Sequence, residues 1–172
     1  KKLGFIYNGA ERNSITMLKI TQEVCKEMGI ELLPITIYSS VEVNMAAESL
    51  VSRVDAFYVV TDNTLVSGLN ALITAASNNN IPIFSEDYTS AVNGGVLYAV
   101  GFDYYKAGRK TGKMAVEILK GKKPDEMPVT FMKYPDESLM IIDMDRAKAL
   151  NIEIPKALIT ENTKIIENNK IK

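Results

Sequence analysis

The stretch Val54-Asp55-Ala56-Phe57-Tyr58-Val59-Val60-Thr61-Asp62-Asn63-Thr64 decides the fold. Its centre, Ala56 to Val60, is continuously apolar and rich in aromatic and β-branched residues, the pattern of a parallel strand buried on both faces. It stops abruptly in a short polar turn. A helix follows from about Leu65 to Ser77, with Val66, Leu69, Leu72, Ile73 and Ala76 at helical spacing, and Asn78-Asn79-Asn80 ends it. Ile81-Pro82-Ile83-Phe84 then returns as another strand. Strand, polar loop, helix and strand in that order make a parallel pair, because parallel strands need a crossover between them.

The same order appears upstream. Leu3 to Tyr7 is a short apolar run, Asn8 to Asn13 supplies turn chemistry, and a helix from about Ser14 to Met28 is expected, capped by Asn13 or Ser14. Gly29 stands where a helix takes a left-handed terminal residue. Ile30 to Tyr38 is the next strand, with Pro34 suiting an edge or a beginning better than a centre. Ser39-Ser40 opens a helix whose apolar positions are Val43, Ala46, Ala47, Leu50 and Val54.

Downstream of Gly94-Gly95, Val96 to Val100 is a fifth strand, followed by Gly101-Phe102-Asp103 and a helix from about Tyr104 to Lys120. The alternation then breaks. Lys122 to Met127 is a charged linker, Val129 to Met132 and Leu139 to Ile142 are short strand candidates, and Met144 to Leu150 is a small helix. The last twenty or so residues are polar and Asn-rich and carry no expected element. The fold class is α/β: a three-layer, doubly wound, mostly parallel sheet.

Composition removes whole classes of chemistry. The 172 residues contain no histidine, so histidine-based triads and histidine-built zinc sites are excluded. The single Cys25 has no partner for an internal disulfide, and its helical register with Leu18, Thr21 and Met28 gives it a buried apolar role. Twenty basic against twenty-one acidic residues leave a net charge of -1, which offers no footprint for nucleic acid or for an anionic membrane. No run approaches the length of a membrane span. Lys1-Lys2 followed at once by a strand reads as a cut within a larger protein, so the lack of a leader sequence says nothing of compartment. There is no G-x-G-x-x-G, no Walker A sequence and no nucleophile elbow, and no cofactor or metal is expected. A single-domain enzyme has no complete active site to draw on here.

Ligands of open parallel sheets lie beyond the carboxyl ends of the strands. That rule selects the loops Asn8 to Ser14, Thr61 to Thr64, Ser85 to Ser90 and Gly101 to Tyr104. Helix starts near Ser14 and Thr64 offer amides to a ligand carboxylate, and Asp62, Glu86, Asp87 and Asp103 offer acceptors to an ammonium, so a zwitterion fits. Each element has a plainer reading. Asn13 and Ser14 serve equally as helix caps, as do Asp62 and Asn63, and Glu86-Asp87 serves as a solvated loop. Tyr98, Tyr104 and Tyr105 either line a groove or pack.

Several phrases carry a family resemblance over nearly the whole chain. Leu3-Gly4-Phe5-Ile6-Tyr7-Asn8 with Asn13-Ser14, the opening stretch through Thr61-Asp62-Asn63-Thr64, Ile81-Pro82-Ile83-Phe84, and Gly101-Phe102-Asp103-Tyr104-Tyr105 with Gly108 and Thr111-Gly112-Lys113-Met114-Ala115 resemble ABC-transporter substrate-binding proteins of the tryptophan/tyrosine-binding type. The resemblance implies a periplasmic-binding-protein-like (type I) fold of two lobes that close on a ligand by a hinge, outside the cytoplasm as a cell-surface lipoprotein or in a periplasm. It places this chain from the start of the second lobe to the C-terminus. Residues 1–100 would form the second-lobe domain, 101–121 the hinge crossing and a helix belonging with the absent first lobe, and 122–172 the return and tail. The implied partners are a small amino-acid-like ligand, in this family an aromatic amino acid, and a permease, with the membrane met only through a lipid anchor on the absent N-terminal part. Carried over by position, the ligand contacts would be Asn8, Asn13, Ser14, Thr61, Asp62, Asn63, Glu86 and Asp87, with Asp103 on the same rim. Glu86 is a departure, since family members commonly have a small residue there. The alternative function is a ligand-sensing module of a receptor or regulator with the same fold.

Overall fold

The computed structural model describes residues 1–172 and builds one eight-stranded sheet around the stretch quoted above. β1 (Lys2–Asn8) lies between β2 (Glu31–Ile37) and β3 (Ala56–Val59), parallel to both. β4 (Ile83–Ser85) and β5 (Tyr98–Phe102) continue the parallel run. β6 (Ser138–Asp143) then joins antiparallel to β5, β7 (Thr163–Glu167) parallel to β6, and β8 (Lys170–Ile171) antiparallel to β7. The order β2-β1-β3-β4-β5-β6-β7-β8 reverses direction at β1. Loops leaving β1 and β3 therefore run away from each other and open a crevice at their carboxyl ends.

Strand alternation sends Ile6, Phe57, Val59, Ile83 and Ala99 to one face, where they form the main core. Over that face lie α2 (Glu42–Leu50), α3 (Asn63–Ser67) and α4 (Leu69–Asn78), which contribute Val43, Ala47, Leu50, Leu65 and Leu72, each at most 1 % exposed. The opposite face is covered over β1 and β2 by α1 (Arg12–Glu27), whose buried residues are Ser14, Thr21 and Cys25. Cys25 takes the buried place its register indicates, whereas Met28 of the same stripe is exposed.

Several expectations are corrected. The helix expected from Leu65 to Ser77 is two helices, broken at Gly68, where an added Cβ would come within 2.7 Å of the Ser40 carbonyl oxygen. The chain turns there because α2 passes too close for a side chain, and Val66 is left exposed. Pro34 sits in the middle of β2, which is tolerated because β2 is the outer strand. Val129 to Met132 forms no strand. The Asn-rich C-terminal stretch contains β7 and β8, turned by Asn168 and Asn169 at positive φ and held by their amides on the Asp145 carboxylate at 3.1 and 2.9 Å. Its asparagines are the turn of a hairpin rather than the mark of an unstructured tail. Neither Asn13, Ser14 nor Ser39-Ser40 caps a helix; the cap residues are Glu11 and Val41, without side-chain capping bonds.

α5 (Tyr104–Leu119) stands apart. It has an amphipathic sequence, yet none of its residues is buried, and Leu119 is 86 % exposed. α6 (Met144–Ala149) returns to the sheet beside β7. No helix is long and apolar enough to cross a membrane.

Candidate functional site

The carboxyl ends of β1 and β3 are tied by one buried carboxylate. Asp62 Oδ2 accepts hydrogen bonds from the Asn8 amide at 2.6 Å and the Ser14 hydroxyl at 2.7 Å, while Oδ1 accepts from the Leu65 amide at 2.8 Å and caps α3. Three donors satisfy a carboxylate that has no exposed surface. Asp62 and Ser14 are thus closed to a ligand, and so in large part is Asn8, whose Nδ2 donates to Thr64 Oγ1 at 2.6 Å and whose Oδ1 accepts from the Ala10 amide at 2.8 Å.

Glu11, which no sequence signal singles out, completes this scaffold. Its two oxygens accept from the amides of Asn63 and Thr64 at 3.2 and 3.3 Å and from both side chains at 3.1 and 3.2 Å. Desolvation pushes the Glu11 carboxyl up, but these bonds outweigh it and hold the group below the usual carboxylate value. The α3 amides that the sequence offers to a ligand carboxylate already have one. Asn63 is occupied with Glu11 and does not face the crevice.

Asp87 and Asp103 are caps as well. Asp87 accepts from the Thr89 amide at 3.1 Å and from the Thr89 hydroxyl, closing a turn over Tyr88–Ala91. Asp103 Oδ1 accepts from the Tyr105 and Lys106 amides at 3.0 and 3.1 Å at the start of α5. Both are buried.

The remaining expected residues come together. Asn13 Nδ2 donates to the Thr61 carbonyl at 2.6 Å, and the Thr61 amide donates to Glu86 Oε1 at 2.8 Å, a relay that crosses the ends of β1, β3 and β4. All three residues line a cleft of about 660 Å³. Its floor is close-packed at Gly101, where an added Cβ would lie 2.8 Å from the Glu86 carbonyl oxygen and 3.0 Å from the Tyr88 amide. Thr16 and Met17, one turn beyond Asn13 on α1, form one wall, and helical spacing from Asn13 would have found them. Phe102 and Tyr104 form another, and Tyr134 arrives from the return segment, a placement with no local sequence signal. These rings are 59 %, 50 % and 73 % exposed, an unusual concentration of uncovered aromatic surface. Tyr98 and Tyr105 do not line the cleft.

The charges of the cleft are unequal in their partners. Glu137 pairs with Lys110 at 2.9 Å and accepts from the Lys133 amide at 2.7 Å, and these contacts, the Lys110 bond first, hold its carboxyl below the usual value. Glu86 joins no ion pair, nor does the Lys133 ammonium. Burial, then Asp87, Tyr88 and Glu86, pushes the Tyr104 phenol up, so it remains a protonated donor. Burial, then the charge of Glu86 and the hydrogen-bonding contact with it, push Tyr58 up to about 12. The amino end of α1 adds fixed partial charge: its ladder begins at Ile15, leaving the Arg12, Asn13 and Ser14 amides without intrahelical partners, and no side chain caps them. The cleft thus combines a carboxylate and an ammonium that join no ion pair, a helix amino end and aromatic rings, and no group of His, Cys, Asp and Glu is arranged to hold a metal.

The chain is 38% identical over 170 residues to the tyrosine-binding protein of Clostridioides difficile, covering 99% of this chain and 47% of that one. A conserved domain protein of Vibrio cholerae superposes with a TM-score of 0.84 at 30% identity, over 95% of this chain and 55% of that one. An ABC domain from Streptococcus pneumoniae solved in complex with L-Trp superposes with a TM-score of 0.82 at 28% identity, over 96% and 55%. The chain therefore spans about half the length of the relatives it matches. Those superpositions bear out the α/β, mostly parallel, type I periplasmic-binding-protein lobe. Residues 1–166 match the family described as ABC transporter substrate binding protein, a family of binding proteins rather than enzymes, and it is to this family that the chain belongs.

Proposed function

We propose that this chain is the second lobe of a two-lobed, extracytoplasmic substrate-binding protein that captures a small amino-acid-like ligand, aromatic in its side chain, and delivers it to a permease. One observation carries the reading: the cleft along the ends of β1, β3, β4 and β5 joins Asn13, Thr61 and Glu86 to the uncovered rings of Phe102, Tyr104 and Tyr134. A zwitterion with a flat apolar body meets complementary groups there. Its carboxylate faces the open amides at the start of α1 and the Lys133 ammonium. The tyrosine named for one relative and the L-Trp bound in another support the same ligand class.

The same features support a domain division in which residues 1–100 form the second lobe, 101–121 cross to a first lobe upstream, and 122–172 return to the second lobe as its C-terminal part. The exposed apolar side of α5 supports the crossing, since a helix with no buried residue has its natural cover elsewhere. The first lobe would close the cleft from above by hinge motion, and an anchor on that upstream part would hold the protein at the membrane. Of the ligand contacts expected from the sequence, Asn13, Thr61 and Glu86 remain as direct ones, and Asn8, Ser14, Asp62, Asn63, Asp87 and Asp103 act as the frame.

Thermal unfolding of the full-length protein across a panel of amino acids tests this. Tyrosine or tryptophan is expected to raise the melting temperature in proportion to the logarithm of its concentration. A melting temperature unmoved by every amino acid would remove the ligand assignment.

A further inference from the structure

Of the four acidic residues that the sequence offers to a ligand ammonium, three have no carboxylate free for it, and Glu11 and Glu137 at the same strand ends are taken up by the Asn63–Thr64 turn and by Lys110. Asp62, Asp87 and Asp103 are buried and bound to amides and hydroxyls, Asp62 across to the β1–α1 loop as well as within its own and the other two within theirs. Glu86 differs: it is partly buried on the cleft wall, its Oε1 accepts from one backbone amide, its other near neighbour is the neutral Tyr58 hydroxyl, and it forms no ion pair with a lysine or arginine. A carboxylate partly withdrawn from water without a counter-charge is unfavourable, and a cationic ligand removes that disadvantage on binding.

We infer that Glu86 is the specificity-determining residue of the cleft: it accepts the cationic nitrogen of the ligand, so the site selects small aromatic molecules carrying a protonated amine and rejects acids that lack one. This rests on the reading of the cleft as the ligand site. The aromatic body lies against Phe102, Tyr104 and Tyr134, and the Tyr104 hydroxyl remains available as a neutral donor beside the pair. Glu86 also holds the Thr61 amide, so a purely structural role has to be separated from a charge role.

Glu86→Gln separates them, because glutamine keeps an oxygen for the Thr61 amide and removes only the charge. Calorimetric titration of the full-length protein with L-tyrosine, tyramine and 3-(4-hydroxyphenyl)propionate is the measurement. The parent is expected to bind tyrosine about 10- to 100-fold more tightly than the acid without an amine, and the variant to lose most of that ratio. Equal tyrosine affinity in parent and variant, within about twofold, or equal affinity of the parent for tyrosine and the amine-free acid, overturns the assignment while leaving the ligand site in place. Binding of tyramine but not tyrosine, lost in Glu86→Gln, supports the assignment and removes the amino-acid reading. A parent that binds none of the three overturns both.

Discussion

The Ser14 hydroxyl donates to the Asp62 carboxylate at 2.7 Å with both residues wholly buried. This bond joins the first turn of α1 to the cap of α3, and the Asn8 amide on the same oxygen adds the end of β1. The site loops are therefore set before any ligand arrives, which is what a receptor of low reorganisation cost needs.

Asp62→Ala is expected to destabilise the protein by about 3 to 5 kcal/mol, since three buried donors lose a charged acceptor together. Ser14→Ala removes one donor and is expected to cost about 1 to 2 kcal/mol. Chemical denaturation measures both, and an Asp62→Ala midpoint equal to that of the parent would assign the residue to the ligand instead of the frame.

Ala56 to Val59 announces a parallel strand by its unbroken apolar run, and the fold follows from it, although only Phe57 and Val59 are buried and the Ala56–Tyr58 face is partly covered. Thr163 to Glu167 announces nothing, because β7 lies toward the sheet's far edge and buries only Ile166. Gly68 reads as one small residue in a helix; its break comes from α2, a contact that no local pattern encodes. At the site, Asp62 carries one signal for two roles, capping and ligand binding, and only its three hydrogen bonds separate them. Glu86 and Asp87 are neighbours in sequence, yet alternation sends one to the cleft and the other inward. Tyr134 reaches the cleft through a segment with no regular structure, beyond the reach of spacing arguments.

Glu11 gives a dependence on pH. Its carboxyl is held below the ordinary value of 4.5 by bonds that outweigh desolvation, so it binds its proton less readily folded than unfolded. Its stabilising contribution is complete above the unfolded value and fades as pH falls through the lower folded one. Glu11→Gln is therefore expected to be less stable than the parent at neutral pH, with the gap narrowing below about 4.5. A gap constant from neutral to acid would show that the Glu11 charge plays no part.

Gly101→Ala tests the floor of the cleft. The new methyl meets backbone atoms at 2.8 and 3.0 Å, which no rotamer change relieves, so β5 has to move from the Glu86 loop. A loss of about 1 to 3 kcal/mol in stability is expected, and in the full-length protein a loss of ligand affinity with it. Gly108→Ala, with nothing within 4 Å in the 172-residue protein, is the stability control there and is expected to bring no such loss.

Leu119 distinguishes a free helix from one awaiting cover. At 86 % exposure it buries little in this chain, so Leu119→Ser in the 172-residue protein is expected to shift unfolding by no more than about 0.5 kcal/mol. In the full-length protein, where a first lobe is proposed to pack on α5, the same change should cost about 2 to 3 kcal/mol, because a leucine then leaves an apolar contact. The comparison is internal, since the residue and its helix are the same in both. Equal effects in the two lengths would mean that α5 remains uncovered in the whole protein, and the assignment of residues 101–121 to the other lobe would fall with it.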